Sequence, residues 1–132
     1  GHRTDALVEL LDVYPTLCEL AGLPLPTHLE GRSAAPLWSD PGQSWKPAAF
    51  SQYPRPGLMG YSMRTDRHRF TRWQSVRNPD EVAAFELYDH RNDPAENMNL
   101  ANLPASAAVV AALDRQLREQ VRTLRANQRT TP

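Results

Sequence analysis

Val110, Leu113, Leu117, Val121 and Leu124 recur at spacings of three and four residues, the period of one face of an α-helix. A strand cannot gather such a set on one side, because its side chains alternate with a period of two. The spacing predicts a helix from about Ala105 to about Ala126, with Asn127 to Pro132 frayed beyond it. An amphipathic helix of that length needs an apolar surface to lie on, and the preceding sequence supplies one. Four short segments, Ala49 to Tyr53, Gly60 to Thr65, Arg69 to Gln74 and Phe85 to Tyr88, read as strands, each bounded by Pro, Gly, Asn or Asp. The tight Asp66-Arg67-His68 link predicts a hairpin between the middle two. The expected fold class is α+β: a small antiparallel four-stranded sheet packed by a long C-terminal helix, preceded by a short helix and an ordered Pro-rich loop.

That short helix is expected after Asp12, whose side chain can cap the free amides of a first turn containing Pro15. Leu17, Leu20 and Ala21 are its expected buried stripe, and Gly22, Pro24 and Pro26 end it. Upstream, Ala6 to Leu11 fits either a buried strand or a short helix. From Leu23 to Lys46 the chain is rich in Pro, Gly and Ser, with expected anchors at Leu29, Leu37, Trp38 and Trp45.

The 132 residues carry a formal net charge of zero, so no global field argues for a nucleic-acid partner or a membrane surface. No apolar run reaches the length of a membrane span. The charge is nevertheless polarised: Arg64, Arg67, Arg69, Arg72 and Arg77 cluster in one stretch, and Asp80, Glu81, Glu86, Asp89, Asp93 and Glu96 in the next. His2, His28, His68 and His90 lie too far apart to share a chelating spacing, and no metal site is expected. Asp89, Asp93 and Glu96 lack the alternating oxygens of a calcium loop and read as a turn fixed by Pro94. Ser33 lacks the flanking pattern of a nucleophile elbow, and Cys18 sits in an apolar stretch, so no catalytic residue is expected.

The remaining candidate is the basic, aromatic hairpin Tyr61 to Trp73, in which Arg64, His68, Arg72 and Trp73 are the candidate substrate-binding residues. A guanidinium fork pairs with a sulfate or carboxylate, and an indole packs on a pyranose. Alternation puts Arg69, Thr71 and Trp73 on one face and Phe70 and Arg72 on the other. The alternative is structural: Phe70 packs under the helix and the arginines pair with the acids of Asp80 to Glu96.

Leu11-Asp12-Val13-Tyr14-Pro15-Thr16-Leu17, then Leu20 to Pro24, Gly31-Arg32-Ser33 and Pro36-Leu37, resemble the segment that closes the large domain of sulfatases. Glu86-Leu87-Tyr88-Asp89, Asp93-Pro94-Ala95-Glu96-Asn97 and Asn99-Leu100 resemble the family's carboxy-terminal signature, with His90 in place of a leucine. Ser51 to Pro56, Met59 to Thr65, Arg69 to Trp73 and Asn78 to Glu81 are similar to the iduronate-2-sulfatase-like branch.

The resemblance implies the C-terminal part of an alkaline-phosphatase-like sulfatase acting on a sulfated carbohydrate. Residues 1-46 would be the end of the large domain and a connecting loop, and 47-132 a small subdomain bordering the substrate cleft. The family's formylglycine, made within a C/S-x-P-x-R motif, and its calcium are expected in a missing N-terminal part, because Cys18 is followed by Glu19, Leu20 and Ala21 and cannot provide that motif. Expected partners are that catalytic domain and the substrate; the compartment implied is periplasmic, secreted or lysosomal. The competing reading is a non-catalytic carbohydrate-binding or interaction module.

Overall fold

All four strands form, each eight residues long: β1 (Ala48–Arg55), β2 (Leu58–Thr65), β3 (His68–Ser75) and β4 (Val82–Asp89). They lie in the order β1-β2-β3-β4, as expected when short turns join successive antiparallel strands. The computed structural model describes residues 1–130, with side chains through Thr123. The chain divides into two units, Gly1–Ala49 and Phe50–Pro132.

In the second unit the register Met63↔Phe70↔Leu87 stacks three apolar side chains across β2, β3 and β4. All three are essentially sealed from solvent. Helix α3 (Ala107–Thr130), entered through a 3-10 turn at Pro104–Ser106, packs on β2 and β3. Leu113 and Leu117 are buried, and Val110 and Val121 partly so. The expected stripe therefore faces the sheet; Leu124 lies outside the described side chains. The helix runs past Ala126 to Thr130, and Thr131 and Pro132 lie outside the described residues. Gly57, at φ +75°, makes the β1–β2 turn in a conformation other residues resist. Phe70 and Phe85 rings sit 5.5 Å apart in the same core, an ordinary aromatic pair.

β4 is followed by a turn whose side chains hold the backbone. Asp93 accepts from Asn97 Nδ2 and the Met98 amide, and Asn99 Oδ1 accepts from the Leu87 amide while its Nδ2 donates to the Phe85 carbonyl. The Leu100 amide then donates to the Leu87 carbonyl at 2.8 Å. The Asp-Pro-x-Glu and Asn-Leu pieces of the sequence are thus one device laid along β4.

In the first unit, Ala6 to Leu11 forms neither a strand nor an α-helix; a 3-10 turn at Leu10–Asp12 leads into α1 (Val13–Leu20). Asp12 is almost fully buried, yet its side chain does not cap α1. It accepts instead from Lys46 Nζ at 2.6 and 2.8 Å, from the Arg32 amide at 2.8 Å and from the Glu9 amide at 2.9 Å. A carboxylate offered a cation and two amides satisfies more lone pairs there than at a helix end. Burial alone would push the Asp12 carboxyl up, but the Lys46 and amide hydrogen bonds together hold it below its ordinary value. Burial likewise opposes the Lys46 charge, and the bonds to Asp12 and Glu9 raise its pKa above the usual one.

Gly31 passes so close to this turn that a Cβ would fall 2.0 Å from the Leu11 carbonyl oxygen. The α1 stripe is also reversed from the expectation: Pro15 and Cys18 are buried while Leu17 and Leu20 are exposed. The groups that tie α1 to its loop, Asp12 and Thr16, hold the Arg32 and Ala34 amides, which turns the Leu17 face outward. α2 (Pro36–Ser39) buries Leu37 but leaves Trp38 exposed, so Trp38 is not the anchor expected. Val8, Leu10, Val13, Tyr14, Leu17 and Leu20 are all exposed, Leu10 at 92%.

Candidate functional site

The cross-strand register sorts the basic hairpin onto two faces. Phe70 is buried with Met63 and Leu87 beneath the helix; Arg72 and His68, two residues away on the same strand, share its face, whereas Trp73 and Arg69 lie on the other. Arg64, paired with Arg69, lies on the Trp73 side. The structure therefore brings Arg64, His68, Arg72 and Trp73 into one hairpin but not onto one surface.

Arg72 is fully engaged. Its Nε donates to Gln74 Oε1 at 2.8 Å, Nη1 to Asp114 Oδ1 at 2.8 Å and Nη2 to the Pro79 carbonyl at 3.1 Å, with the side chain 5% exposed. It opens on a groove of about 820 Å³ between the sheet and α3, where Arg115, Arg118 and Arg122 stand alongside Asp80, Asp114 and Glu119. His68 has its pKa lowered, first by burial and then by the Arg67 charge, so the neutral imidazole is favoured. Arg64 folds back to donate to the Thr65 carbonyl. The neighbouring arginines pair with the acidic stretch: Arg67 with Asp89 by two bonds of 3.0 and 2.7 Å, and Arg69 with Glu96. The Asp89 carboxyl lies far below its ordinary value, chiefly through the Arg67 hydrogen bonds.

Glu96 also meets His90 Nε2 at 2.5 Å. It adopts φ +58°, a conformation unusual for a side-chain-bearing residue, in a turn closed by its amide donating to the Asp93 carbonyl.

On the face away from α3, the Trp73 indole lies flat against β2 at Gly60, where a Cβ would come within 2.8 Å of the ring. Its Nε1 donates to Glu86 Oε1 at 2.9 Å. The Arg55 guanidinium covers it, 4.2 Å from the ring centroid. Trp73 is only 6% exposed, whereas Arg55 is exposed. Sequence reasoning singled out Trp73 and missed Arg55; the available signal was its position between Pro54 and Pro56 in a segment that resembles the iduronate-2-sulfatase-like branch.

Among the described residues, no group of three His, Cys, Asp or Glu side chains could hold a metal ion. Asp89, Asp93 and Glu96 are engaged by arginine, asparagine and backbone groups. Calcium does not fit these residues, and Cys18 is buried within α1. No helix among the described residues is long and apolar enough to cross a membrane.

This sheet-and-helix unit with its preceding α1 segment is the C-terminal architecture of sulfatases. The chain belongs to the family described as N-sulphoglucosamine sulphohydrolase, C-terminal, whose model matches residues 1–123. It is 32% identical to human iduronate 2-sulfatase over 145 residues, covering 77% of this chain and 26% of that protein. It is 33% identical to a Delta 4,5-hexuronate-2-O-sulfatase of Bacteroides thetaiotaomicron over 106 residues, covering 76% of this chain and 21% of that protein. A putative sulfatase crystal structure from the same bacterium superposes with a TM-score of 0.72 at 27% identity, over 92% of this chain and 26% of that one. The chain thus spans about a quarter of the length of the sulfatases it matches.

Proposed function

We propose that these 132 residues are the C-terminal portion of a sulfatase that hydrolyses a sulfate ester on a sulfated carbohydrate. Residues 1-46 would complete the large catalytic domain, and 47-132 would form the subdomain beside the cleft. The structural observation that carries the reading is the exposed apolar run of Val8, Leu10, Val13, Tyr14, Leu17 and Leu20. At roughly 25 cal/mol per Å² of apolar surface, leaving so many large apolar side chains in water is costly, and exposure on this scale supports a partner surface. A large catalytic body accounts for it; a free-standing carbohydrate-binding module does not.

The nucleophile belongs to that body. Formylglycine and calcium would supply the attacking oxygen and the charge to hold the sulfate, which are the parts of catalysis that need an activated nucleophile and an electrostatic clamp. The present residues contribute packing and substrate positioning. The comparisons support a uronate 2-sulfate as substrate class, because human iduronate 2-sulfatase and the hexuronate-2-O-sulfatase are among the relatives.

The test is hydrolysis of a 2-sulfated uronate disaccharide by the protein expressed with its upstream coding region and by the 132 residues alone. The longer protein is expected to release sulfate and to lose activity with a calcium chelator, and the shorter one to be inactive. Metal-dependent turnover by the short chain, or none by the long one, overturns the reading.

A further inference from the structure

We propose that Arg55 is an anion receptor for the carbohydrate, taking a sulfate or carboxylate substituent on a platform built from all four strands. The inference rests on the sulfated-carbohydrate reading for its ligand and on this structure for its geometry. Arg55 comes from the end of β1, Gly60 from β2, Trp73 from β3 and Glu86 from β4. Glu86 fixes the indole edge at 2.9 Å, and Gly60 lets the ring lie against the backbone. The ring then holds the guanidinium at 4.2 Å. Pro56 follows Arg55 and restricts the Arg55 backbone to extended conformations.

With its carbon 4.2 Å over the ring centroid and the residue exposed, the guanidinium keeps N–H donors for a planar or tetrahedral oxyanion. The contrast with neighbouring arginines is direct. Arg67, Arg69 and Arg72 each end on a carboxylate, of Asp89, Glu96 and Asp114. No ion pair to Arg55 occurs among the described residues. A guanidinium held over an indole and without a carboxylate partner loses less freedom on meeting an anion than a free one. Trp73 serves as the support for this group, since it is too covered to stack on a sugar itself.

The experiment follows the indole Nε1–H resonance of Trp73 in the 132-residue chain during titration with a uronate disaccharide whose only sulfate is the 2-sulfate. Parallel titrations use the 2-desulfated disaccharide, which keeps its carboxylate, and inorganic sulfate. A saturable shift is expected in the native chain. Arg55→Gln should weaken it about tenfold or more, the loss expected for one charge-assisted contact, and Arg55→Lys should restore part of it. Retained binding of the desulfated sugar assigns the carboxylate; its loss assigns the sulfate. In the longer protein, Arg55→Gln should raise KM about tenfold with kcat nearly unchanged. Absence of a saturable shift, or equal affinity in Arg55→Gln with native hydrogen exchange, overturns the proposal. If the longer protein hydrolyses the disaccharide while Arg55→Gln leaves KM unchanged, Arg55 is excluded and the sulfatase reading stands. If hydrolysis fails but binding still depends on Arg55, the anion site stands and the sulfatase reading falls.

Discussion

Replacing Arg72 with methionine separates a structural arginine from a substrate-binding one. The side chain is 5% exposed and its guanidinium joins Asp114 of α3, Gln74 of its own strand and the Pro79 carbonyl. Methionine keeps much of the stem's volume but leaves all three acceptors without their donor. Removing one partner of a buried ion pair costs about 3–5 kcal/mol. Asp114 is 18% exposed, so water reaches it, and a loss near the lower end, about 3 kcal/mol, is expected. Against a typical domain stability of about 5–15 kcal/mol, this is a large fraction. Asp114→Ala in the same background should recover part of the loss, because the stranded carboxylate is gone, giving a coupling of about 1–3 kcal/mol. Native-state hydrogen exchange of the β2 and β3 amides reads this unit without the first one. An Arg72→Met protein that loses under about 1 kcal/mol, or a strictly additive double mutant, would refute the reasoning, and a raised KM with intact stability would return Arg72 to the substrate.

Leu117→Ala should cost about 2–5 kcal/mol, since the side chain is fully enclosed between α3 and the sheet, whereas Arg118→Ala should stay within about 0.5 kcal/mol; urea unfolding compares the two. Asp89 has a folded pKa below its unfolded one, so its contribution is complete above the ordinary carboxylate range and fades as pH falls below about 4. Asp89→Asn should flatten that part of the stability–pH curve, and an unchanged acid limb would show that the Arg67 pair contributes nothing measurable.

The four strands and the long helix were legible because each rests on local information: bounded strand segments, turn residues and a period of three and four over more than a dozen residues. The opposite placement of Arg72 and Trp73 was also legible, from alternation alone. What alternation could not provide was the partner, because Asp114 lies 42 residues away in sequence and meets Arg72 only when α3 crosses the sheet. Asp12 shows the same limit. Its local pattern suits a helix cap, and only the return of the loop at Arg32 and Lys46 makes the competing, better satisfied arrangement available. The exposed Leu17 and Leu20 follow from that arrangement, as the apolar period of so short a helix does not say which side its own loop will cover. Arg55 was missed because stacking on an indole leaves no periodic trace.

Asn99 and Leu100, hydrogen-bonded along the outer side of β4, give the sheet a finished border. An uncovered edge strand offers a row of free amides and carbonyls to any passing chain. Here the Phe85 carbonyl and the amide and carbonyl of Leu87 are already taken, so a second molecule cannot pair along that stretch of the edge. At the opposite end, β1 carries Pro54, which has no amide to offer. A substitution at Asn99 would consequently be felt first in self-association, through the edge it uncovers.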